Sequence, residues 1–213
     1  NGRLLARYRD GEADYLGYLQ DYTFLIWGLI ELYQTSFKKE YLKLAVELNQ
    51  DLIQYFWDSK SGGLYLYGSD SEELITRPKE LYDGATPSGN SVATLNFLRL
   101  SKLTGDNELY TRAEKEFKLF IKKVEQNPTA YSYFMMSLLF IQAESREIVL
   151  VGNKDNKTTK KMLEAIQIEF TPFTVEILKT EQNQQVLSRV IPHLAEYNQF
   201  KESPTVYICQ DFA

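Results

Sequence analysis

Three carboxylates are candidates for acid and base chemistry in this sequence. They are Asp21, Glu80 and Asp83. Hydrolysis or epimerisation of a sugar requires acid and base groups placed across the reacting carbon, and Asp and Glu side chains can supply both. Asp21 is equally suited to cap a helix, because an acid near a helix start accepts amide protons and complements the helix dipole. The sequence therefore leaves the acid and base roles unassigned.

Polar and cationic residues close to these carboxylates are candidates for ligand binding. Arg77 and Lys79 could hold a carboxylated or phosphorylated ligand, and Arg offers a two-pronged donor for it. A salt bridge to a neighbouring carboxylate is an equally good use of either cation. Ser88 and Asn90 are expected first as helix caps and second as hydroxyl and amide contacts to a sugar.

The single histidine and the single cysteine exclude several kinds of catalysis. His193 and Cys209 cannot build a Cys/His zinc site, and one cysteine cannot form a disulfide within the chain. His193 lies in the tail between Pro192 and Leu194, and we expect it to be structural or on the surface. We therefore expect no cofactor and no metal site, while a Mg²⁺ or Ca²⁺ site made only of carboxylates stays open.

Charge and hydropathy limit the partners. The net charge is −5, and no cluster of Lys and Arg is interleaved with aromatic residues, so we expect no nucleic-acid partner. No apolar run reaches the roughly 18 residues that a membrane helix needs, so no membrane partner is expected. The chain starts at Asn1 without an initiator Met and ends directly after an apolar run. We expect a piece of a longer cytoplasmic protein whose N-terminal part is missing.

Apolar residues that recur every three or four positions predict helices in pairs. Shifting the sequence by roughly 68 residues places Leu32 on Leu100 and Ala45 on Ala113, so both pairs follow one plan. Two alternating runs, 64–67 and 74–75, predict a β-hairpin inserted between the pairs. The first pair is predicted at 15–33 and 38–57. In the second pair, one helix runs from the possible caps at 88–91 through Leu100, and its partner ends near Val124. A further long helix is predicted from Pro128 to Ile141. Residues 3–9, followed by Asp10-Gly11, give a weak strand-and-turn signal.

The pattern changes near residue 144. Apolar runs predict strands at 147–152, 175–178 and 206–209, and the segments between them predict helices at 158–170 and 186–194. A β-α-β-α-β order with short connections predicts a small, mainly parallel sheet. We therefore expect two domains, a helical-hairpin portion at 1–144 and an α/β tail at 145–213.

Short motifs are distributed along almost the whole chain. They are Gly2-Arg3-Leu4, Asp10-Gly11, Leu19-Gln20-Asp21-Tyr22-Thr23-Phe24-Leu25, Phe56-Trp57-Asp58, Gly62-Gly63-Leu64-Tyr65, Arg77-Pro78-Lys79-Glu80 and Asp83-Gly84-Ala85-Thr86-Pro87-Ser88-Gly89-Asn90-Ser91. With these motifs the chain resembles the C-terminal part of the thioredoxin-domain-containing, spermatogenesis-associated-like family. The last two motifs together make the resemblance specific.

This resemblance implies an arc of an α/α toroid, like those of acylglucosamine 2-epimerases and six-hairpin glycosidases. It also implies a thioredoxin-like domain and further hairpins before this chain. In such a ring the long connections gather at one end. We therefore expect the helix starts that carry Asp21, Tyr22 and Tyr131 to meet the segment 77–90 at a concave mouth, the default place for a ligand.

Two functions fit these expectations. The leading one is a carbohydrate-handling region that binds a sugar or sugar acid, with glycosidase-like or epimerase-like activity possible in the intact protein. Sugar epimerases of this type rely on histidines, so their mechanism does not transfer to these residues. The alternative is a non-catalytic scaffold that positions the thioredoxin-like domain or docks a protein. A third idea, nucleotide binding by the tail, predicts an open crevice after Val151.

Overall fold

We describe residues 2–72, 76–143 and 145–210 from a computed structural model of the chain. About half of the chain is helical, and two small sheets accompany the helices. The strands are β1 (Leu5–Arg9), β2 (Glu12–Leu16), β3 (Arg146–Val151), β4 (Thr174–Lys179) and β5 (Thr205–Cys209). The helices are α1 (Leu19–Ser36), α2 (Lys39–Phe56), α3 (Gly89–Thr104), α4 (Asn107–Gln126), α5 (Ser132–Gln142), α6 (Lys157–Gln167) and α7 (Gln184–Leu187), with 3₁₀ turns at Pro128–Tyr131 and Pro192–Glu196.

The two predicted helical hairpins are present and share their boundaries. The 68-residue shift carries the first residue of α2, Lys39, onto Asn107, the first residue of α4. It also carries Phe37 onto Gly105, and both residues end a helix in the left-handed conformation, with φ of 55° and 75°. The amide of each donates back to a carbonyl of the last helical turn. The repeat therefore extends to the backbone geometry of the turn inside each hairpin.

Helix α3 lies at the centre of the helical part. It packs against α1, α4 and α5, while α2 packs against α1. All but two of the residues of α3 are buried, including the polar residues Asn90, Thr94 and Asn96. A helix buried on every side must satisfy its polar groups internally, and Asn96 does so by donating to the Thr23 carbonyl of α1 at 2.8 Å.

The first strand pair corrects one prediction. Tyr15 was expected in the first helix, but Glu12–Leu16 forms β2, which pairs antiparallel with β1. Asp10 and Gly11, both with positive φ, make the tight turn that returns the chain before α1 begins at Leu19. The alternating pattern of 3–9 therefore indicated a hairpin rather than a lone strand.

The prediction of a β-hairpin after α2 is wrong in its first strand, because residues 64–67 do not form one. The expected second strand, 74–75, lies outside the described residues. Gly62 and Gly63, with φ of 76° and 80°, turn the chain back so that Leu64 forms a single antiparallel bridge with Trp57. The bridge is held by the Tyr65 amide, which donates to the Phe56 carbonyl, and by the Asp58 amide, which donates to the Gly63 carbonyl, both at 2.9 Å. Both backbone groups of Leu64 bind the Asn90 side chain instead, at 2.8 and 3.0 Å.

The tail holds a three-stranded sheet in the order β4-β3-β5. β3 and β4 are parallel, as predicted, but β5 is antiparallel to β3, so the sheet is mixed rather than mainly parallel. The expected helix at 186–194 is only α7 and a 3₁₀ turn. No crossover helix returns the chain to the N-terminal ends of β3 and β4. β5 therefore starts beside the C-terminal ends of these strands and runs antiparallel to β3.

One hydrophobic core runs through the helices and the tail sheet. Phe140 of α5 packs edge to face on Phe173, with ring centroids 6.2 Å apart. The buried ion pair between Lys102 of α3 and Glu147 of β3, 2.8 Å long, joins the two parts. The change from helices to strands falls after residue 143, and the division into two domains stays a prediction.

Candidate functional site

Contacts from Leu66, Asp83 and Pro87 join the N-terminal ends of α1, α3 and α5. The amide of Leu19, at the start of α1, donates to the Leu66 carbonyl at 3.1 Å. The side chain of Gln20 donates to the carbonyl of Pro87, just before α3, at 3.4 Å. Asp83 reaches the first turn of α5, as described below. The structure therefore brings the predicted site residues to one end of the helices.

Asp83 binds two helix starts at once. Its Oδ1 accepts a hydrogen bond from the Ser88 amide at 2.8 Å, next to the first turn of α3. Its Oδ2 accepts from the amides of Tyr133 and Phe134, at 2.9 and 3.2 Å, in the first turn of α5. These amides have no partner within their helix, and a carboxylate there also complements the helix dipole. Asp83 is thus a cap supplied from a distant loop.

Asp21 and Tyr22 make structural contacts at the start of α1. Asp21 Oδ2 accepts from the Tyr18 amide at 2.7 Å, which is the reciprocal half of a capping box. Tyr22 is fully buried, and its hydroxyl accepts from Arg3 and from the Leu4 amide. The guanidinium of Arg3 stacks over the rings of Tyr22 and Tyr55, which ties the N-terminal hairpin to α1.

Lys79 belongs to a closed polar cluster after α2. Its ammonium donates to Asp58 Oδ2 at 2.7 Å, to Ser61 Oγ at 2.8 Å and to the Gly62 carbonyl. These three acceptors match the three donors of a lysine. Asp58 also accepts from the Lys60 amide and the Ser61 hydroxyl. The Lys79 ammonium, followed by the Ser61 hydroxyl, holds the pKa of the Asp58 carboxyl far below its usual range.

Arg77 lies beside this cluster and is exposed. Its Nη2 donates to the Tyr67 carbonyl at 2.9 Å, and its guanidinium lies 4.1 Å from the centre of the Tyr65 ring. The Tyr65 hydroxyl in turn donates to Asp58. That bond, more than burial, raises the pKa of Tyr65. Sequence reasoning did not assign a role to Asp58, although an Asp followed by Ser-Lys-Ser-Gly-Gly is a recognisable side-chain-to-backbone turn.

Ser88 and Asn90 are both buried, but only Ser88 is the helix cap that the sequence predicted, since Asn90 lies within α3. Ser88 Oγ accepts from the Ser91 amide at 3.1 Å, which caps α3. The Asn90 amide binds both backbone groups of Leu64 and donates to the Glu80 carbonyl at 2.7 Å. Asn90 therefore joins the turn after α2 to the loop before α3.

Glu80 and Tyr131 make no such closed network. The Glu80 side chain is exposed, and only its carbonyl is bound by Asn90. Tyr131 is half-buried and packs beside a small apolar cluster that includes Leu81 and Phe134. Two further tyrosines at this end are exposed: Tyr18 at the start of α1 and Tyr82 next to Asp83, with 47% and 67% of their surface accessible.

The main cavities that we describe lie away from this end, and none is lined by a predicted site residue. One of about 520 Å³ lies where α3 and α5 end, beside Lys102. Another of about 420 Å³ lies between α2, the α3-α4 turn and the tail. A crevice of about 240 Å³ follows Val151 at the carboxyl ends of β3 and β4, where the nucleotide hypothesis placed one.

The single histidine and cysteine occupy structural positions in the tail. Cys209 is buried on β5, with its Sγ 3.5 Å from the Tyr197 hydroxyl. His193 is half-buried against the ring of Tyr197, and burial lowers its pKa. Within 2–72, 76–143 and 145–210, no group of three or more His, Cys, Asp or Glu side chains could hold a metal ion. In the same ranges no helix is both long enough and apolar enough to cross a bilayer.

Comparison with known proteins shows that the chain is similar to one region of longer animal proteins. A human protein named spermatogenesis-associated protein 20 is 30% identical over 198 residues, which is 92% of this chain and 25% of the human protein. The rat protein of the same name is 32% identical over the same share of the chain. An uncharacterised protein of Caenorhabditis elegans is 28% identical over 203 residues, 95% of this chain and 27% of that protein.

The chain thus spans about a quarter of the length of the curated relatives it matches. No protein-family model matches it. The names of the human and rat relatives associate them with spermatogenesis and say nothing of a substrate.

Proposed function

We propose that this chain is a scaffold region of a longer protein, an arc of an α/α toroid whose helix-N-terminal end is a structural rim rather than a catalytic centre. The part that it positions is a thioredoxin-like domain of the same protein, which the sequence resemblance implies. The observation that carries the proposal is the bonding of Asp83, whose two oxygens are occupied by three backbone amides.

The remaining candidates support the same proposal. A glycosidase-like mechanism needs two carboxyl groups that can exchange protons with a substrate. Asp21 and Asp83 instead accept hydrogen bonds from backbone amides, and Lys79 is held by three acceptors. Glu80 is left as the one exposed carboxylate among the three candidates. One carboxylate does not make an acid and base pair.

The helix contacts support the toroid arc. Helices α1, α3 and α5 follow one another side by side, and α2 and α4 pack on α1 and α3 respectively. This is the order expected when each hairpin adds one inner and one outer helix. The conserved spacing of the two hairpins, down to their left-handed end residues, is what a repeated unit requires.

A carbohydrate-binding surface is the second candidate, and the exposed tyrosines favour it. Tyr18 and Tyr82 present flat rings at the end of the helices where Glu80 is exposed. Aromatic rings beside a few polar groups are the usual surface for a sugar. In this case the region binds a sugar or sugar acid without acting on it.

Thermal unfolding of the chain against a panel of neutral sugars and sugar acids separates the two candidates. The scaffold proposal expects no saturable shift of the midpoint, only the gradual rise that excluded sugars give any folded protein. Sugar binding expects a saturable rise, about 2.7 kcal/mol of stabilisation at a hundred times the dissociation constant. That rise should be lost in Tyr82→Ala and kept in Tyr8→Ala, whose ring is 77% exposed on β1. A saturable, Tyr82-dependent rise would refute the scaffold proposal as stated.

A further inference from the structure

The cleft between α2 and the tail has the size and lining of a small-molecule site. Its volume is about 420 Å³, within the usual range for such sites. Val46 and Ile53 of α2, Leu109 of α4 and Val190 of the tail give it apolar walls. This cleft is remote from the rim discussed above, and the inference does not rest on the proposed function.

Asn49 is the polar side chain that sets this cleft apart. It lines the cleft from α2 and is 3% exposed, yet its Oδ1 has no hydrogen-bond partner in the described part of the chain. Buried polar atoms in folded proteins are nearly always bonded, so an unmet amide oxygen requires an explanation. A ligand that brings an N–H or O–H donor into the cleft supplies one.

Arg189 adds a positive charge at the rim of the same cleft. It is exposed, and no ion pair involves its guanidinium among the residues that we describe. The carboxylate that also lines the cleft, Asp106, accepts from the Glu108 amide at 2.9 Å and caps α4. The helix start therefore offsets part of the Asp106 charge, while the Arg189 guanidinium keeps its donors available to an anion.

We propose that this cleft binds a small organic anion with an apolar body and one hydrogen-bond donor. The apolar walls take the body, the Asn49 amide takes the donor, and Arg189 takes the carboxylate, sulfonate or phosphate group. The residues that line the cleft come from α2, from the α3-α4 hairpin and from the tail, so a bound ligand would contact all three parts.

A fluorescent probe of this chemistry tests the proposal. The probe 8-anilino-1-naphthalenesulfonate carries two aromatic bodies, one N–H donor and one sulfonate. Titration into the native chain should give a saturable fluorescence increase with one site per chain. Arg189→Gln should weaken binding about tenfold, the usual effect of losing one charge-assisted hydrogen bond. Arg9→Gln, which removes an exposed arginine on β1, should leave the titration unchanged.

A blocking variant guards against binding elsewhere. Gln50 is exposed and lines the cleft, so Gln50→Trp should abolish binding while the helical circular dichroism is retained. Glu47→Trp, on an exposed position of α2 away from the lining, is its matched control. The side-chain amide resonance of Asn49 should shift on titration in the unaltered chain. Absence of saturable binding to the unaltered chain would overturn the proposal. Binding by both Arg189→Gln and Gln50→Trp with the affinity of the unaltered chain would overturn it as well.

Discussion

Replacing Asp83 by alanine should destabilise the chain more than replacing any other predicted site carboxylate. The change removes the acceptor from the Ser88 amide and from two amides in the first turn of α5. A lost helix cap costs about 1 kcal/mol. A hydrogen bond to a charged group contributes about 1.5 to 3 kcal/mol, and these effects overlap because one carboxylate makes all three bonds. We expect a loss of about 3 kcal/mol.

Urea unfolding measures this loss directly. The midpoint should fall while the slope of the transition stays constant, because the change in exposed surface is unaltered. The thermal midpoint should drop by about 6 to 12 °C for a chain of this size. Asp83→Asn should lose about half as much, since the amide oxygen can still accept from one of the two helix starts.

Asp21→Ala provides the graded comparison. Asp21 accepts a single backbone hydrogen bond, at the start of α1, so its loss should cost about 1 kcal/mol. A stability of Asp83→Ala within about 0.5 kcal/mol of the unaltered chain, the usual range for surface substitutions, would refute the assignment of Asp83 as a cap of two helices. A larger loss for Asp21→Ala than for Asp83→Ala would refute it as well.

Three further predictions concern the buried interior. Gly89→Ala should destabilise by about 1 to 3 kcal/mol, because the new Cβ would lie 2.6 Å from the Leu19 side chain. Gly28→Ala should stabilise by about 0.5 to 1 kcal/mol, because its Cβ would meet no atom within 4 Å apart from the adjoining backbone of its own helix. The urea midpoints of the two variants test this pair. Burial raises the pKa of the Glu116 carboxyl well above its ordinary value of 4.5. The folded chain therefore keeps a proton that the unfolded chain releases. Stability should fall by up to about 1.4 kcal/mol per pH unit as pH rises from 4.5 toward the raised pKa of the folded chain. A pH series of urea midpoints should be flatter for Glu116→Gln. Asn90→Ala should cost about 3 kcal/mol, since three backbone groups lose their partner, two of them on buried Leu64. Calorimetry measures this loss, and circular dichroism should show an unchanged helix content.

Local patterns in the sequence predicted the helical part of the fold well. The apolar periodicity of α1 to α4 is regular, and the boundaries of the second hairpin carry cap or turn residues, such as Ser88 before α3 and Gly105 after it. The direction of β5 was not accessible in this way. It depends on whether the chain between β4 and β5 crosses the sheet, and no short-range pattern in residues 180–204 encodes that crossing.

The composition of the candidate site was harder to predict than its place in the fold. The toroid expectation put Asp21 and Asp83 at the same end of the helices, and their contacts agree with that placement. Residue type alone could not reveal how the carboxylates are used, because a cap and a catalytic acid are the same side chain. The cleft beside Asn49 gave no signal at all, since its walls come from α2, α4 and the tail.

The left-handed ends of α1 and α3 reach the same backbone conformation with different residues. Gly105 adopts its conformation without strain, whereas Phe37 pays about 1 kcal/mol for the same backbone. Phe37 is nevertheless 7% exposed, and its ring packs against that of Tyr33. A consensus drawn from both hairpins would place glycine at Phe37 and discard a buried ring worth about 3 kcal/mol or more. Copying glycine from the second hairpin into the first would therefore weaken the protein at the turn where the two hairpins have the same backbone geometry.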